Sequence, residues 1–463
     1  MREDLHKIIS GDETVIAIST PLGRSGVGVV RMSGRDAIGI AQRFFKSHSS
    51  NSHLEHRTAV IGTWTNEDAE QQVDEVVVTL FRAPQSYTGE DVVEISGHGN
   101  PLILARIVEN ARTAGARIAL PGEFTMRAVA HGKMDLIQAE AVREFIEAQT
   151  EQQAKTALRQ MGGSVSNRIR PIKEKLLDII AHLEAGIDFA EDDVDVPDNT
   201  AIVHMIHPLG EALENLEETF GYGRLLVEGF RLAILGKPNV GKSSLFNRLV
   251  AAERAIVTDI PGTTRDVLTE TVSMDGIPLR FADTAGVRDT SDQVESIGVK
   301  RTLETLSEAD LALVVLDGSG ALDGDDRQVL AKVEHLPHLL LINKSDLPQA
   351  IDMGLLNGSG KVHLSAKTGH GLDTLREAIR AILLDGKTDS TDDLVLTNSR
   401  QHEAIVKAIS NLRTASDALV RNVPHEMALL DLYQGMAALD ELTGDVVTDD
   451  ILDRIFSTFC IGK

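Results

Sequence analysis

The chain has 463 residues, 42% of them hydrophobic, and a formal charge of −24, a globular balance whose length predicts two to four domains. Its single cysteine, Cys460, excludes an intramolecular disulfide and points to a reducing compartment. The opening MREDLHKIIS has no apolar core of signal-peptide length, no apolar run reaches membrane-spanning length, and the acidity argues against a broad basic face for phosphate backbones. The expectation is a soluble cytoplasmic protein with no membrane partner, whose acidity serves solubility and leaves room for a local basic site.

In chain order, residues 15–19, 26–32, 73–81 and 92–96 are short β-branched runs bounded by Gly and Pro, which predict strands. Residues 36–45 and 102–114 carry helix-period apolar positions between them. This predicts a small α+β domain over 1–131. From Met134 the pattern changes to long amphipathic helices. One stripe is Ile137, Ala141, Val142, Phe145 and Ile146, a second Ile172, Leu176, Ile179, Leu183 and Ile187, a third Ile202, Ile206, Leu209, Leu213 and Leu216. The acidic stretch 190–197 breaks this run and predicts an exposed connection.

At Phe230 an apolar strand begins a β/α alternation that lasts to about Leu384, followed by a polar linker over 385–393. Helices then resume, with Ile405, Ile409, Leu412 and Leu419 on one face and Ile451, Leu452, Ile455, Phe456 and Phe459 on another. The economical architecture is a helical domain (132–224 and 388–463) interrupted by an inserted α/β domain (225–387), an arrangement tolerated where chain ends lie close together.

Four signatures run in order through the inserted part: Gly236-Lys-Pro-Asn-Val-Gly-Lys-Ser243, Asp283-Thr-Ala-Gly286, Asn343-Lys-Ser-Asp346 and Ser365-Ala-Lys367. The first follows a strand and opens a helix, the context in which glycines let backbone N–H groups wrap phosphates at a helix N-terminus. Asn239, Val240, Gly241, Lys242, Ser243 and Ser244 are the expected phosphate-side residues, with Lys242 neutralising the β- and γ-phosphates and the Ser243 hydroxyl on Mg²⁺. ATPases share this motif. Asn343-Lys-Ser-Asp346 separates the two cases, because the Asp346 carboxylate accepts two hydrogen bonds from guanine N1–H and N2 and adenine offers neither. Such a mismatch is worth roughly 10⁴–10⁵ in discrimination. Lys344 would lie over the base, and the Ala366 amide, flanked by Ser365 and Lys367, would meet guanine O6. Taken singly, Asn-Lys-x-Asp is also a surface turn and Ser-Ala-Lys a helix start; their order and register make the nucleotide reading.

Pro261-Gly-Thr-Thr-Arg-Asp266 stands where a phosphate-sensing switch belongs, with Thr264 completing Mg²⁺ coordination. Asp283 should reach Mg²⁺ through water, and the Gly286 amide, after Thr284 and Ala285, should read the γ-phosphate. The next residue is Val287 where Ras-type GTPases carry a water-orienting glutamine, so hydrolysis needs other help. A GAP-type arginine supplies about 10⁵, or roughly 7 kcal/mol. Arg265, Arg288 and Glu295 are nearby polar candidates, and each is equally a solvated switch residue.

Over essentially its whole length the chain resembles the MnmE (TrmE) family of tRNA-modification GTPases. The resemblance is carried by Thr20-Pro-Leu-Gly-Arg-Ser-Gly-Val-Gly28, Ser86-Tyr-Thr-Gly-Glu-Asp91, Gly97-His-Gly99, Pro121-Gly-Glu-Phe124 and the terminal Phe459-Cys-Ile-Gly-Lys463. It implies an N-terminal domain that dimerises and binds a tetrahydrofolate derivative (5,10-methylene or 5-formyl), a helical domain and a Ras-like GTPase domain between its two parts. It implies nucleotide contacts through Thr258, Asp259, Ile260, Pro261, Gly262 and Thr263 as well. It also implies that K⁺ replaces the arginine finger, held by Asn239, Thr258, Thr263 and the Ile260 backbone, where a fixed cation stabilises developing negative charge. Glu295 takes a water-positioning role. The folate contacts carried over are Arg31, Glu94, Lys133 and Lys463; from the residues alone, Arg31 and Glu94 are equally a strand-surface pair. The family's chemistry adds an aminomethyl or carboxymethylaminomethyl group to C5 of the wobble uridine of certain tRNAs, with a FAD-containing partner, MnmG (GidA), in a heterotetramer or larger complex.

Cys460 reads three ways. Its spacing from Phe456 and Leu452 suits an apolar core position on the last helix. Its place fourth from the end suggests prenylation, which Gly462 and Lys463 exclude. The resemblance implies a functional thiol. Gly23-Arg-Ser-Gly-Val-Gly28 does not fit a dinucleotide fingerprint, and His98 lacks a metal-binding companion set and predicts a turn. The competing function is a GTP switch acting in ribosome assembly, using the same nucleotide motifs without one-carbon chemistry.

Overall fold

The computed structural model describes residues 13–48, 54–66, 71–188, 197–252, 271–281, 309–356, 360–383, 395–446 and 448–462. The expected acidic connection, apart from Pro197, and the linker 385–393 lie outside them. The described residues form two compact units. One comprises residues up to Arg143, 160–177 and 433 onward; the other comprises 144–159 and 178–432.

The first unit holds a seven-stranded sheet, in the order β3 (Phe45–Ser47), β4 (Ala59–Thr65), β5 (Gln72–Phe81), β6 (Val92–Gly99), β2 (Ser25–Ser33), β1 (Val15–Ile18) and β7 (Arg117–Ile118). All pairings are antiparallel except β1 with β7. Side chains alternate across a strand, so Val30, Met32, Val93, Ile95, Val76, Val78 and Leu80 line one face. The helices Ala37–Phe44 and Pro101–Thr113 cover it with Ile40, Phe44, Leu104 and Ile107. Arg31 and Glu94 sit opposite each other in register and belong to the other face. The four expected strands and two expected helices are present. The sequence reading missed β3, β4, β7 and the helix Glu123–Ala130. In β4, Gly62 masks the pattern; a Cβ there would lie 2.3 Å from the Lys46 carbonyl oxygen of β3. The last helix, Asp449–Phe456, closes a small core of Met126, Leu136, Ala139, Leu452, Phe456 and Phe459.

The second unit holds a six-stranded sheet, β13 (Lys361–His363), β12 (His338–Asn343), β11 (Leu311–Asp317), β8 (Phe230–Leu235), β10 (Ile277–Phe281) and β9 (Thr271–Met274). It is parallel except for the β9–β10 hairpin. Its central strands are apolar on both faces, as a sheet covered on both sides requires. Leu311, Leu313 and Val315 enter one core, and Ala312, Val314 and Leu316 the other. Helices Asn199–Glu217 and Ser399–Val420 pack together through the predicted stripes, with Ile206, Leu213, Ile405 and Leu412 buried. The first predicted stripe held only partly: Ile137, Ala141 and Val142 are buried, but Phe145 and Ile146 are exposed.

Helix Glu151–Met161 starts on a capping box. The Gln153 amide donates to Thr150 Oγ1 (3.1 Å), and Gln153 Oε1 accepts the Thr150 amide (2.9 Å). The Thr150 hydroxyl donates in turn to the Gly276 carbonyl of the β9–β10 turn at 2.7 Å.

Candidate functional site

The phosphate loop joins the end of β8 to helix Lys242–Ala252, and two of its glycines are obligatory. Gly236 has φ +149°, and a Cβ would fall 2.4 Å from the Val315 carbonyl oxygen. Gly241 has φ +101°, and a Cβ would fall 2.3 Å from Asn343 Nδ2. Asn239 also takes a left-handed φ of 63°, at an exposed position, which bends the loop around the positive end of the helix. Val240 is fully buried beneath it. Lys242 folds back across the loop, its Nζ donating to the carbonyls of Gly236 (2.7 Å) and Lys237 (2.8 Å). Burial pushes this ammonium's pKa down, so an anion beside it would restore lost solvation. Ser243 and Ser244 follow in the first helical turn.

On the opposite side, Asn343 ends β12 and is buried. Its Nδ2 donates to the Val240 carbonyl at 2.7 Å, and its Oδ1 accepts the Ala366 amide at 2.9 Å. One side chain thereby ties the phosphate loop to the Ser365–Lys367 turn. The Ala366 amide, expected at guanine O6, is given to Asn343 here. Asp346 is exposed and accepts the Ser365 hydroxyl at 2.6 Å; this bond holds its carboxyl below the usual range, so it stays ionised as an acceptor. Lys344, at φ 63°, donates to Asp317 at the end of β11. Burial pushes the Asp317 carboxyl up, but Lys344 and the Ser319 hydroxyl and amide outweigh it, leaving it depressed.

Sequence reasoning missed the supports of this site. Arg248 donates to the carbonyls of Ala366 (3.1 Å) and Lys367 (2.5 Å), holding the base-side turn from the phosphate-side helix. Lys237, inside the loop, is clamped by Asp323 (2.7 Å) and Asp326 (2.8 Å), which raises its pKa; the same pair holds Asp323 at about 2. Aspartates near the C-terminal ends of parallel strands were the available signal for Asp317. Nothing local marks Arg248 or Lys237. Thr258, Asp259, Ile260, Pro261, Gly262, Thr263, Thr264, Asp283, Thr284, Ala285, Gly286 and Glu295, with Arg265, Val287 and Arg288, lie outside the described residues.

The first unit carries a second polar constellation. Arg31 reaches Glu94 Oε1 through Nε (3.0 Å) and Nη2 (2.8 Å). The strand-surface pair is therefore real, and it lies close to two aromatic rings, with the guanidinium 5.3 Å from the Tyr87 centroid and 5.7 Å from that of Phe124. Burial raises the Tyr87 pKa against the opposing pull of Thr125 and Arg31, keeping its hydroxyl protonated. Lys133 is exposed and donates to the Pro84 carbonyl at 3.0 Å. Beneath lies a buried chain of charges missed from sequence: Arg127, with no exposed surface, grips Glu90 (2.9 Å) and Glu123 (2.8 Å), and Glu123 also binds Arg117 (2.7 Å). Lys463 is outside the described residues.

Two expectations are corrected. The last helix ends at Phe456 and Cys460 is exposed, which removes its apolar-core reading; four residues past a helix end, 3.6-residue periodicity no longer applies. His98 belongs to β6, not to a turn, and its Nδ1 lies 2.8 Å from Asp74 Oδ1, a hydrogen bond that raises its pKa. Among the described residues no group of three or more His, Cys, Asp or Glu could hold a metal, and no helix is long and apolar enough to cross a membrane.

A phosphate loop on a mostly parallel sheet, tied by Asn343 to an Asn-Lys-Ser-Asp turn, defines a P-loop GTPase domain, here in a chain that also carries an N-terminal α+β domain and a helical domain. The family model described as the MnmE helical domain matches residues 136–460, and that described as the GTP-binding protein TrmE N-terminus matches 14–133. Curated relatives named tRNA modification GTPase MnmE include the protein of Koribacter versatilis, 47% identical over 98% of this chain and 99% of its own length. That of Aquifex aeolicus is 42% identical over 97% and 100%, and that of Geobacter metallireducens 42% identical over 98% and 99%. The chain belongs to the MnmE family of tRNA modification GTPases.

Proposed function

We propose that this protein binds and hydrolyses GTP in the service of tRNA modification. The observation that carries the GTP reading is the Asn343 bridge, which joins the phosphate loop to the Ser365–Lys367 turn, whose Ser365 hydroxyl holds Asp346. The pocket residues fit the nucleotide: two glycines leave room where any Cβ would collide, Lys242 is a desolvated cation, and Asp346 is an ionised acceptor at the base side. Ser243 is the Mg²⁺ ligand on the phosphate-side helix, joined in this reading by Thr264 and, through water, Asp283. Mg²⁺ would neutralise charge developing on the transferred phosphoryl group. The missing glutamine at Val287 favours K⁺ as the hydrolytic aid, with Asn239, Thr258, Thr263 and the Ile260 backbone as ligands and Glu295 positioning water.

In the same reading the N-terminal domain binds a tetrahydrofolate derivative. Arg31, close to two rings and paired with Glu94, has the chemistry for a benzoylglutamate carboxylate or a pterin donor edge, with Lys133 and Lys463 as further cations. The folate supplies the one-carbon unit for C5 of a wobble uridine, with a FAD-containing partner, and Cys460 is the exposed thiol nearby in sequence to Lys463. The protein works as a homodimer in the cytoplasm, with domains 1–131, 132–224, 225–387 and 388–463. The test is mass spectrometry of tRNA nucleosides from a strain lacking the chain, complemented by wild type or by Cys460→Ser. Wild type restores the modified wobble uridine and Cys460→Ser does not, while its K⁺-stimulated GTP hydrolysis persists. Normal nucleosides in the uncomplemented strain would refute the function, and equal hydrolysis in Na⁺ and K⁺ would refute the ion's role.

A further inference from the structure

Gly122 and the first turn of the helix Glu123–Ala130 that it caps touch both halves of the N-terminal chemistry. Phe124 lies under the Arg31 guanidinium. Glu123 is locked by Arg117 and Arg127 and accepts the Leu120 amide at 2.8 Å, so the turn cannot drift. Gly122, at φ +66°, donates its amide to the Cys460 carbonyl (3.5 Å), and a Cβ there would lie 3.0 Å from both Phe456 and Phe459. A second contact reaches the same tail from the other side. Ser19 Oγ donates to the Gly462 carbonyl at 3.1 Å, and Gly462, at φ +98°, packs so closely that a Cβ would lie 2.3 Å from the Ile18 carbonyl oxygen. Ser19 is itself tied to β2, its amide donating to the Val29 carbonyl at 2.8 Å, two residues from Arg31.

We infer that Gly122 and Ser19 are positioning residues, a two-point clamp that sets the C-terminal tail, and with it Cys460, in fixed register with Arg31. The inference rests on the proposed roles of Cys460 and Arg31. Two short paths, from Arg31 along β2 to Val29 and through its hydrogen bond to Ser19, and from Phe124 along the chain to Gly122, end on neighbouring parts of one tail, at Gly462 and Cys460. A thiol on a tail held at two points keeps one orientation, whereas a tail held at one point swings; misplacement of a reacting group by about 1 Å can cost on the order of 100-fold in rate.

Cys460 is the only cysteine, so a nitroxide attached to it reports tail order in the full-length protein. Ser19→Ala and Gly122→Ala are expected to sharpen the nitroxide spectrum and lower the modified nucleoside by about 10- to 100-fold, with GTP hydrolysis within about twofold of wild type. Ser19→Thr, which keeps the hydroxyl, is expected to restore both readouts, which a general folding defect would not allow. A mobilised tail with undiminished modification overturns the inference, as does an unchanged nitroxide spectrum in the double variant. If Cys460→Ser itself modifies tRNA normally, the role of the thiol fails instead, while the spectra still decide whether the clamp exists.

Discussion

The two polar sites are assembled in opposite ways. In the GTPase domain the functional groups stand in short contiguous motifs at the C-terminal ends of parallel strands, and the fold needs only to bring those ends together. In the N-terminal domain no motif contains the site: Arg31 meets Glu94 across an antiparallel register, and Glu90 meets Arg127 from 37 residues away. The first site is held by backbone geometry that glycine alone permits; the second is held by compensating charges. The difference teaches where each should be fragile, the one in nucleotide recognition and the other in folding.

The largest effect is expected at the base side. Asp346→Ala should reduce the preference for GTP over ATP by about 10⁴-fold, measured by competitive nucleotide binding, because the guanine donors then lose their acceptor. An unchanged preference would mean that recognition is spread over the backbone, erasing the contrast. Next, Arg127→Met should destabilise the N-terminal domain by about 3–5 kcal/mol in urea unfolding, since it leaves Glu90 a buried charge without its cation and Glu123 with Arg117 alone. GTP hydrolysis should survive where the fold does. The triple replacement of Arg127, Glu90 and Glu123 by apolar residues of similar volume should recover much of that loss; if the single change costs nothing, the charges are not what holds this site.

The smallest effect sharpens the comparison inside the GTPase domain, where one support is also electrostatic. Asp323 is held at about 2 against an ordinary 3.8 by Lys237. A depressed carboxyl contributes stability above its unfolded value, and that contribution fades as pH falls from about 3.8 toward 2. Asp323→Asn should therefore lower thermal stability slightly at neutral pH, where the contribution is fully present, and flatten the acid dependence in that window, so that variant and wild type converge near pH 2. An identical acid slope in the variant would remove the Lys237 clamp from the account.

Much of the nucleotide site was legible because its requirements are local. Gly236 and Gly241 each take a positive φ within one contiguous motif, which marks them in the sequence although β11 and β12 also crowd them, and the β/α alternation that begins at Phe230 is written in adjacent apolar residues. Helix stripes were legible for the same reason, except at Phe145 and Ile146, whose apolar character says nothing about whether a neighbour covers them. Strand β4 escaped because Gly62 answers to the approach of another strand.

The sequence by itself determined the class of nucleotide domain, the family, four of the seven strands of the first sheet and the β/α alternation of the second, because dihedral limits and side-chain periodicity act over a few residues. Only the tertiary structure decided that Cys460 is exposed beyond the last helix, that Arg31 lies close to both Tyr87 and Phe124, that Arg248 braces the base-side turn and that Lys237 braces the phosphate loop. Those outcomes depend on pairings between residues dozens to hundreds of positions apart. Burial and electrostatics act on distance in space, which no local pattern encodes.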